Sequence, residues 1–355
     1  MINRIEIENY KSIRKASVEL SPINVLIGAN GAGKSNFINF FKLLNKIYEQ
    51  QLQNYVAEQG GAENILYKGL QNSSYLLSHI YFNNTNGYAF TLSPTEQNRL
   101  YFSAETVAFN KGNSWYSELL GNGQEETKLD TKQSSIGKYV KKYLTSFKIF
   151  HFPDTSKTAK VKGISNINDN HFLREDAGNL ASFLYLLQEK HPKSFKKIEM
   201  IVRSVAPFFE KFDLKPNNIN PESIRLEWKE KDSDMYLNAS HLSDGTLRFI
   251  ALATLLMQPE PPSVIIIDEP ELGLHPFAIN KLAGLIQKVS AHSQVIISTQ
   301  SVGLVDNFEP EEIIVVDRKE KQSIFTRQNK DNLKLWLDNY SIGDLWLKNV
   351  IGGRP

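Results

Sequence analysis

The chain contains no cysteine among its 355 residues. That absence excludes disulfides, thiolate metal sites and cysteine nucleophiles together, and it suits a reducing compartment. Long apolar runs are missing too: none approaches a membrane span, and residues 1–20 alternate charged with apolar positions from Arg4 onward, unlike a secretory leader. A cytoplasmic protein with no membrane partner is expected. Charge of one sign is also lacking, since Lys+Arg 41 against Asp+Glu 39 leaves only +2, so no overall field calls for nucleic acid or an anionic surface. His151, His171, His191, His241, His275 and His292 show no H-E-x-x-H or related metal spacing. Nothing repeats at a solenoid period or reads as a heptad seam. What remains, 41% hydrophobic and 23% charged, is ordinary globular composition, long enough for one large domain or two.

Against that plain background stands Gly28-Ala29-Asn30-Gly31-Ala32-Gly33-Lys34-Ser35, which fits the phosphate-cradling pattern G-x-x-x-x-G-K-[ST]. The apolar strand Ile23-Asn24-Val25-Leu26-Ile27 precedes it. A helix with Phe37, Phe40, Phe41 and Leu44 on one face follows from Asn36. Such a loop turns backbone N–H groups toward a polyphosphate, and the helix N-terminus adds to the field. Lys34 is expected to reach the β- and γ-phosphates and Ser35 to hold Mg²⁺, with Gly28, Asn30, Gly31, Gly33 and Asn36 completing the nucleotide-binding set.

Elsewhere the pattern predicts strands at 2–7 and 16–20, a polar stretch at 48–61, strands at 79–82, 88–92 and 100–104, and a hairpin turn at 83–87. Residues 110–135, rich in Gly, Ser, Glu and Lys, read as a long surface loop. A helix at 136–144 and a strand at 148–152 follow, then two helices between 179 and 209 split at Pro192, and a strand at 224–228. The last third alternates helix 246–257, strand 264–267, helix 276–290, strand 295–298 and strand 313–317. That is the rhythm of a parallel sheet with covering helices.

Two further segments carry chemistry. The buried-strand run Val264-Ile265-Ile266-Ile267 ends in Asp268 and Glu269, and carboxylates at the carboxyl end of such a strand stand where α/β sheets bind ligands. One can support Mg²⁺ while the next acts as general base on water. Leu242-Ser243-Asp244-Gly245-Thr246 opens a helix; alone it reads as a plain N-cap, and after a phosphate loop it also reads as a γ-phosphate receptor.

The order of these motifs resembles the ABC-type ATPase heads, and most closely the RecF/SMC/OLD branch. Asn9-Tyr10-Lys11-Ser12-Ile13, the phosphate loop, residues 242–246, Asp268-Glu269-Pro270-Glu271 with Leu274-His275-Pro276, and Ser298-Thr299-Gln300-Ser301 carry the likeness. More narrowly the chain is similar to bacterial AAA-family ATPases of about this length, with residues 151–156, Leu345-Trp346 and a Gly352-Gly353-Arg354-Pro355 run. The resemblance implies an α/β P-loop NTPase fold of ABC-ATPase head type, a mixed β-sheet core with an antiparallel β arm and a helical lobe, and no coiled coil. It also implies a homodimer with two ATP molecules sandwiched between the phosphate loop of one subunit and the signature of the other. Gly33, Lys34 and Ser35 then act in cis, Ser243 and Gly245 contact the γ-phosphate in trans, Asp268 supports the metal, Glu269 is the base, and Glu271, Leu272 and Gly273 couple the two sites.

Three departures qualify this. Asp244 stands where a glycine is usual, and Gln300 where many heads have histidine; Gln300 can orient water but carries no titrating charge, so slow turnover is expected. No unambiguous glutamine loop is present, and His151 or Asp154 takes its place in order, either beside Mg²⁺ or in a simple turn. The interval from Ser35 to Ser243, broken by prolines at 153, 192, 207, 216 and 221, implies a head without a rod. Its division is expected to be a core at 1–44 and 241–320, a β-rich arm at 62–147, a helical lobe at 171–240 and an extension at 321–355. The basic segments at 138–143 and 190–197 fit either solvated helix faces or contacts to DNA or RNA phosphates. Two functions stay open: an ATP-hydrolysing switch in DNA repair or anti-phage defence, and an ATP-dependent scaffold that hardly hydrolyses and holds a separately encoded nuclease or toxin.

Overall fold

In the computed structural model, which describes residues 1–112, 114–130, 134–152, 156 and 158–354, the charged-apolar alternation at the N-terminus becomes a hairpin of β1 (Ile2–Tyr10) and β2 (Ile13–Glu19). Then come β3 (Ile23–Ile27), buried along its whole length, and α1 (Lys34–Tyr48), followed by α2 (Leu52–Glu58) and α3 (Ala62–Ile65). Strands β4 (Leu76–Phe82), β5 (Asn86–Pro94), β6 (Leu100–Asn110) and β7 (Trp115–Gly121) form a meander; α4 (Ser135–Leu144) and β8 (Phe147–Phe150) follow. Next are β9 (Ile164–Asn166), α5 (Leu180–Lys190), α6 (Pro192–Val205), β10 (Phe209–Phe212), β11 (Ser223–Arg225), β12 (Glu227–Glu230), β13 (Tyr236–Asn238), α7 (Asp244–Met257), β14 (Val264–Asp268) and α8 (Pro276–Val289). The chain closes with β15 (Gln294–Ser298), α9 (Val302–Val305), β16 (Ile313–Lys319), β17 (Gln322–Arg327), α10 (Lys330–Leu337) and α11 (Ile342–Leu347). Two compact units result, Met1–Ile149 with Gln294–Pro355, and Phe150–Ser293.

The first unit is built around α1. Its apolar face, Phe37, Phe40, Phe41 and Leu44, is fully buried. Phe40 meets Tyr10 of β1 at 5.5 Å between ring centroids, Phe37 meets Phe325 of β17 at 5.2 Å, and Phe41 meets Phe147 at 5.9 Å. One helix therefore joins two sheets. On one side β2-β1-β4-β5-β6-β7 is antiparallel throughout; on the other β16 and β15 flank β3 in parallel and β17 closes the edge antiparallel to β16.

The second unit packs α7, apolar on all sides, against α6 and α8. Its small sheet β10-β12-β13 is pinned by rings: Phe209 lies 4.7 Å from Phe212, and Phe208 lies 5.7 Å from Trp228. The longest described helix has 15 residues, so no coiled-coil rod occurs among the described residues. Pro192 begins α6 at its first turn, where a missing N–H costs nothing.

Several boundaries differ from the pattern reading. The expected loop at 110–135 contains β7, an edge strand whose side chains at 115, 116, 117 and 119 are exposed, so its backbone pairing with β6 leaves no apolar alternation to read. The polar stretch at 48–61 contains α2, with Leu52, Tyr55 and Val56 buried and the Glu126 carboxylate accepting the N–H groups of Leu52 and Gln53 at 3.0 Å each. An anion at a helix N-terminus satisfies orphan donors, but from seventy-odd residues away in the chain it left no local signal. The strand at 224–228 is two strands, β11 paired with β9 and β12 paired with β10 and β13. The strand placed at 148–152 ends at Phe150.

A buried carboxylate holds the meander together. Glu105, 0% exposed, accepts from Tyr88 Oη at 2.8 Å, Gln124 Nε2 at 3.0 Å and Lys128 N at 2.9 Å, and also from Thr127 Oγ1. Burial pushes the Tyr88 phenol well above its ordinary range, which keeps it a donor. Glu105→Ala strands these buried donors and is expected to cost about 2–4 kcal/mol, read as a lowered urea midpoint at unchanged slope.

Candidate nucleotide site

The loop at 28–35 leaves β3 at its carboxyl end and enters α1 through Gly33, a left-handed N-cap with φ 118°. Gly28 and Gly33 are glycine for a reason of space: a Cβ on Gly28 would run into the Val316 carbonyl, and one on Gly33 into the Ser323 hydroxyl. At Gly31, φ 76°, nothing lies within 4 Å of that position, so the loop is open there. Lys34, only 5% exposed, folds back to donate from Nζ to the Gly28 carbonyl at 2.6 Å and the Ala29 carbonyl at 3.2 Å. Asn30 and Ser35 are exposed, and Asn36 donates to Ser12 Oγ at 2.7 Å.

These features fit a polyphosphate with a divalent cation. The first turn of α1 has no capping side chain, the crown is open, an ammonium stands within the loop, and Ser35 presents a hydroxyl. β15 runs parallel beside β3, pairing Ser298 with Leu26, so Gln300 emerges at the same end of the sheet as the loop. Gln300 is exposed, while Thr299 before it is buried and donates its N–H to the Leu26 carbonyl at 3.0 Å.

In the second unit Asp268 ends β14, half-buried, and Glu269 follows in the left-handed region with φ 47°. A non-glycine residue there costs on the order of 1 kcal/mol or more, a strain that concentrates at functional positions. Asp268, Glu269 and Leu272 line one crevice with His151, Phe152 and Arg248. Of the two stand-ins for a glutamine loop, His151 lines the crevice that the carboxylates also line, and Asp154 lies outside the described residues. Arg248 is the organising side chain that motif reading passed over: its Nε donates to the Phe152 carbonyl at 2.7 Å and its Nη1 to the Leu272 carbonyl. Burial lowers the Arg248 pKa, opposed by Asp244 and Glu271. A cation amid the apolar run of α7 was its one sequence signal.

Ser243 caps α7, its Oγ accepting from Thr246 N at 3.1 Å, and both Ser243 and Asp244 are exposed. A Cβ on Gly245 would strike the Gly273 carbonyl, so this glycine admits the loop after Glu271 as close neighbour. Asp244, the unusual signature residue, pairs with Lys162 Nζ at 3.0 Å. His275 caps α8 before Pro276, accepting from Phe277 N at 3.3 Å. Among the described residues no three His, Asp or Glu side chains gather as a metal cluster. Mg²⁺ accepts sparse protein sets when phosphate and water fill the remainder, and a single exposed hydroxyl such as that of Ser35 is compatible with one.

Fold and loop together define a P-loop ATPase head of the ABC type, on the RecF/SMC/OLD branch. The chain belongs to the family described as "AAA domain, putative AbiEii toxin, Type IV TA system", whose model matches residues 23–306. It is similar to the Old nuclease of Escherichia phage P2, 23% identical in an alignment that covers 85% of this chain and 56% of that protein. It is also similar to the phosphate import ATP-binding protein PstB of Mycoplasmoides gallisepticum, 21% identical over 64% of this chain and 74% of that one. Among solved structures, an Smc head bound to the C-winged helix domain of ScpA matches with a TM-score of 0.63 at 18% identity, covering 94% of this chain and 99% of that. The Smc head with an extended coiled coil bound to the C-terminal domain of ScpA from Pyrococcus furiosus gives 0.59 at 16%, covering 95% and 98%.

Arg248→Ala leaves the buried Phe152 carbonyl and the part-buried Leu272 carbonyl without this donor and is expected to cost about 2 kcal/mol in chemical denaturation. Arg248→Lys should recover only part, because lysine lacks the guanidinium fork that reaches both carbonyls at once.

Proposed function

We propose that the protein hydrolyses ATP to ADP and phosphate as a conformational switch, closing head to head as a homodimer around two ATP molecules. The observation that carries this reading is the open loop at 28–35, with Lys34 turned into it above an uncapped helix N-terminus. Gly28, Asn30, Gly31, Gly33 and Lys34 hold the phosphates, with Asn36 supporting the loop. Ser35 and Asp268 hold Mg²⁺, which neutralises phosphate charge when bound. Glu269 accepts the proton of the attacking water, Gln300 orients that water, and Ser243 and Gly245 reach the γ-phosphate of the other subunit. The division into a core at 1–44 and 241–320, a β arm at 62–147, a helical lobe at 171–240 and an extension at 321–355 belongs to this reading. The arm and lobe pass the motion to DNA or to a partner effector, in repair or anti-phage defence within the cytoplasm, and turnover is slow.

A second reading, an ATP-assembled scaffold that holds a separately encoded nuclease or toxin with little hydrolysis, is favoured by the Asp244–Lys162 pair at the signature. That pair commits the signature carboxylate to a contact within its own subunit rather than to a triphosphate that approaches in trans. The two readings part on Glu269→Gln. As the base, its loss should leave ATP binding intact, lower turnover about a hundredfold or more, and accumulate dimers by light scattering. Unchanged ATPase activity rejects the assignment, and dimers without measurable wild-type turnover favour the scaffold. Lys34→Ala should abolish ATP-driven association; association that survives it means the loop is not the switch.

A further inference from the structure

Ser323 lies in the strand that follows the edge turn of β16 and β17, far in sequence from any motif, and is 0% exposed. Its Oγ donates to the Ala32 carbonyl at 2.5 Å. That same oxygen lies 2.7 Å from Ser12 Oγ, and Ser12 Oγ accepts from Asn36 Nδ2 at 2.7 Å. Each hydroxyl has one proton, so the direction of the whole chain is set: Asn36 to Ser12, Ser12 to Ser323, Ser323 to the Ala32 carbonyl. The Ser323 N–H donates to the Ser12 carbonyl at 2.8 Å, which fixes the two serines to each other through the backbone as well.

The consequence falls on the phosphate loop. In a trans peptide the C=O and the following N–H point in opposite directions. No cis bond occurs in this chain among the described residues. Holding the Ala32 carbonyl down toward β17 therefore turns the Gly33 N–H to the other side of the peptide plane, away from Ser323. We propose that Ser323 is a positioning residue for the nucleotide: through Ala32 it aims the Gly33 N–H at the phosphates, and Ser12 and Asn36 keep its hydroxyl in the donating orientation. Gly33 is glycine because Ser323 fills the space of its Cβ, so the side chain that orients the peptide also dictates the residue beside it. The proposal rests on reading residues 28–35 as an ATP cradle.

The test uses the full-length protein with a fluorescent N-methylanthraniloyl ATP and Mg²⁺, measured for wild type, Ser323→Ala, Ser323→Cys, Ser12→Ala, the Ser12→Ala/Ser323→Ala pair and Lys34→Ala. Ser323→Ala should weaken nucleotide binding about fivefold, the size of one neutral hydrogen bond, with the loss in KM rather than kcat. Ser323→Cys, of similar size but a weak donor, should fall between it and wild type. Ser12→Ala should weaken binding less, and the pair should equal Ser323→Ala alone, because Ser12 acts only through Ser323. An unchanged Kd in Ser323→Ala, or equal additive losses in the pair, overturns the proposal when Lys34→Ala does weaken binding. If Ser323→Ala fails to fold, Ser12→Ala, whose hydroxyl is partly exposed, decides: an unchanged Kd there overturns it. Unweakened binding in Lys34→Ala rejects the ATP cradle itself.

Discussion

The close approach of the β16–β17 hairpin to the phosphate loop is the constraint on which the first unit turns. A backbone carbonyl at Val316 and a hydroxyl at Ser323 occupy the space that side chains on Gly28 and Gly33 would take. The loop is thereby pressed between strand and hairpin, and its carbonyls are drawn toward protein donors while its crown stays open. Lys34 takes two of those carbonyls in the same way, so the ammonium stays within the loop rather than in solvent. The aromatic face of α1 then ties this arrangement to both sheets. Each of its buried phenylalanines contributes about 2–3 kcal/mol by removal from water, enough to set the axis of the helix whose N-terminus closes the loop at 28–35.

The second unit solves a different problem, that of holding two carboxylates in a strained turn. β14 delivers Asp268 as the end of a wholly apolar strand, and the turn places Glu269 at a positive φ. Arg248 ties the Phe152 and Leu272 carbonyls around that turn, and Gly245 lets the Gly273 backbone approach the start of α7. The signature and the loop after Glu271 are thus neighbours through backbone contact.

Legibility followed how local each cause was. The phosphate loop, β14 and α7 were readable because strand, turn and helix signals lie within a few residues of each other. So was the split at Pro192, which depends on one residue and its neighbours. Edge strand β7 was not, because most of its side chains are exposed and it is placed chiefly by its backbone pairing with β6. Helix α2 was not, because its N-terminus is satisfied by Glu126 from a distant segment. The Lys162 partner of Asp244 and the Ser323 partner of Ala32 were invisible for the same reason: an unremarkable lysine and serine acquire their roles only by contact with residues remote in the chain.

The sequence by itself determined the chemistry available: a glycine-rich loop with lysine and serine at its end, a carboxylate pair at the end of an apolar strand, a serine and a glycine at a helix start, and no thiol anywhere. Those follow from residue type and short-range spacing, which fix which atoms can donate, accept or coordinate. Only the tertiary structure decided the directions of those atoms. Which way the Ala32–Gly33 peptide faces, why Gly28, Gly33 and Gly245 admit no side chain, and where the Asp244 carboxylate is held all depend on packing between segments far apart in the chain. Hydrogen bonds and excluded volume act over a few ångströms, and only folding brings such segments that close.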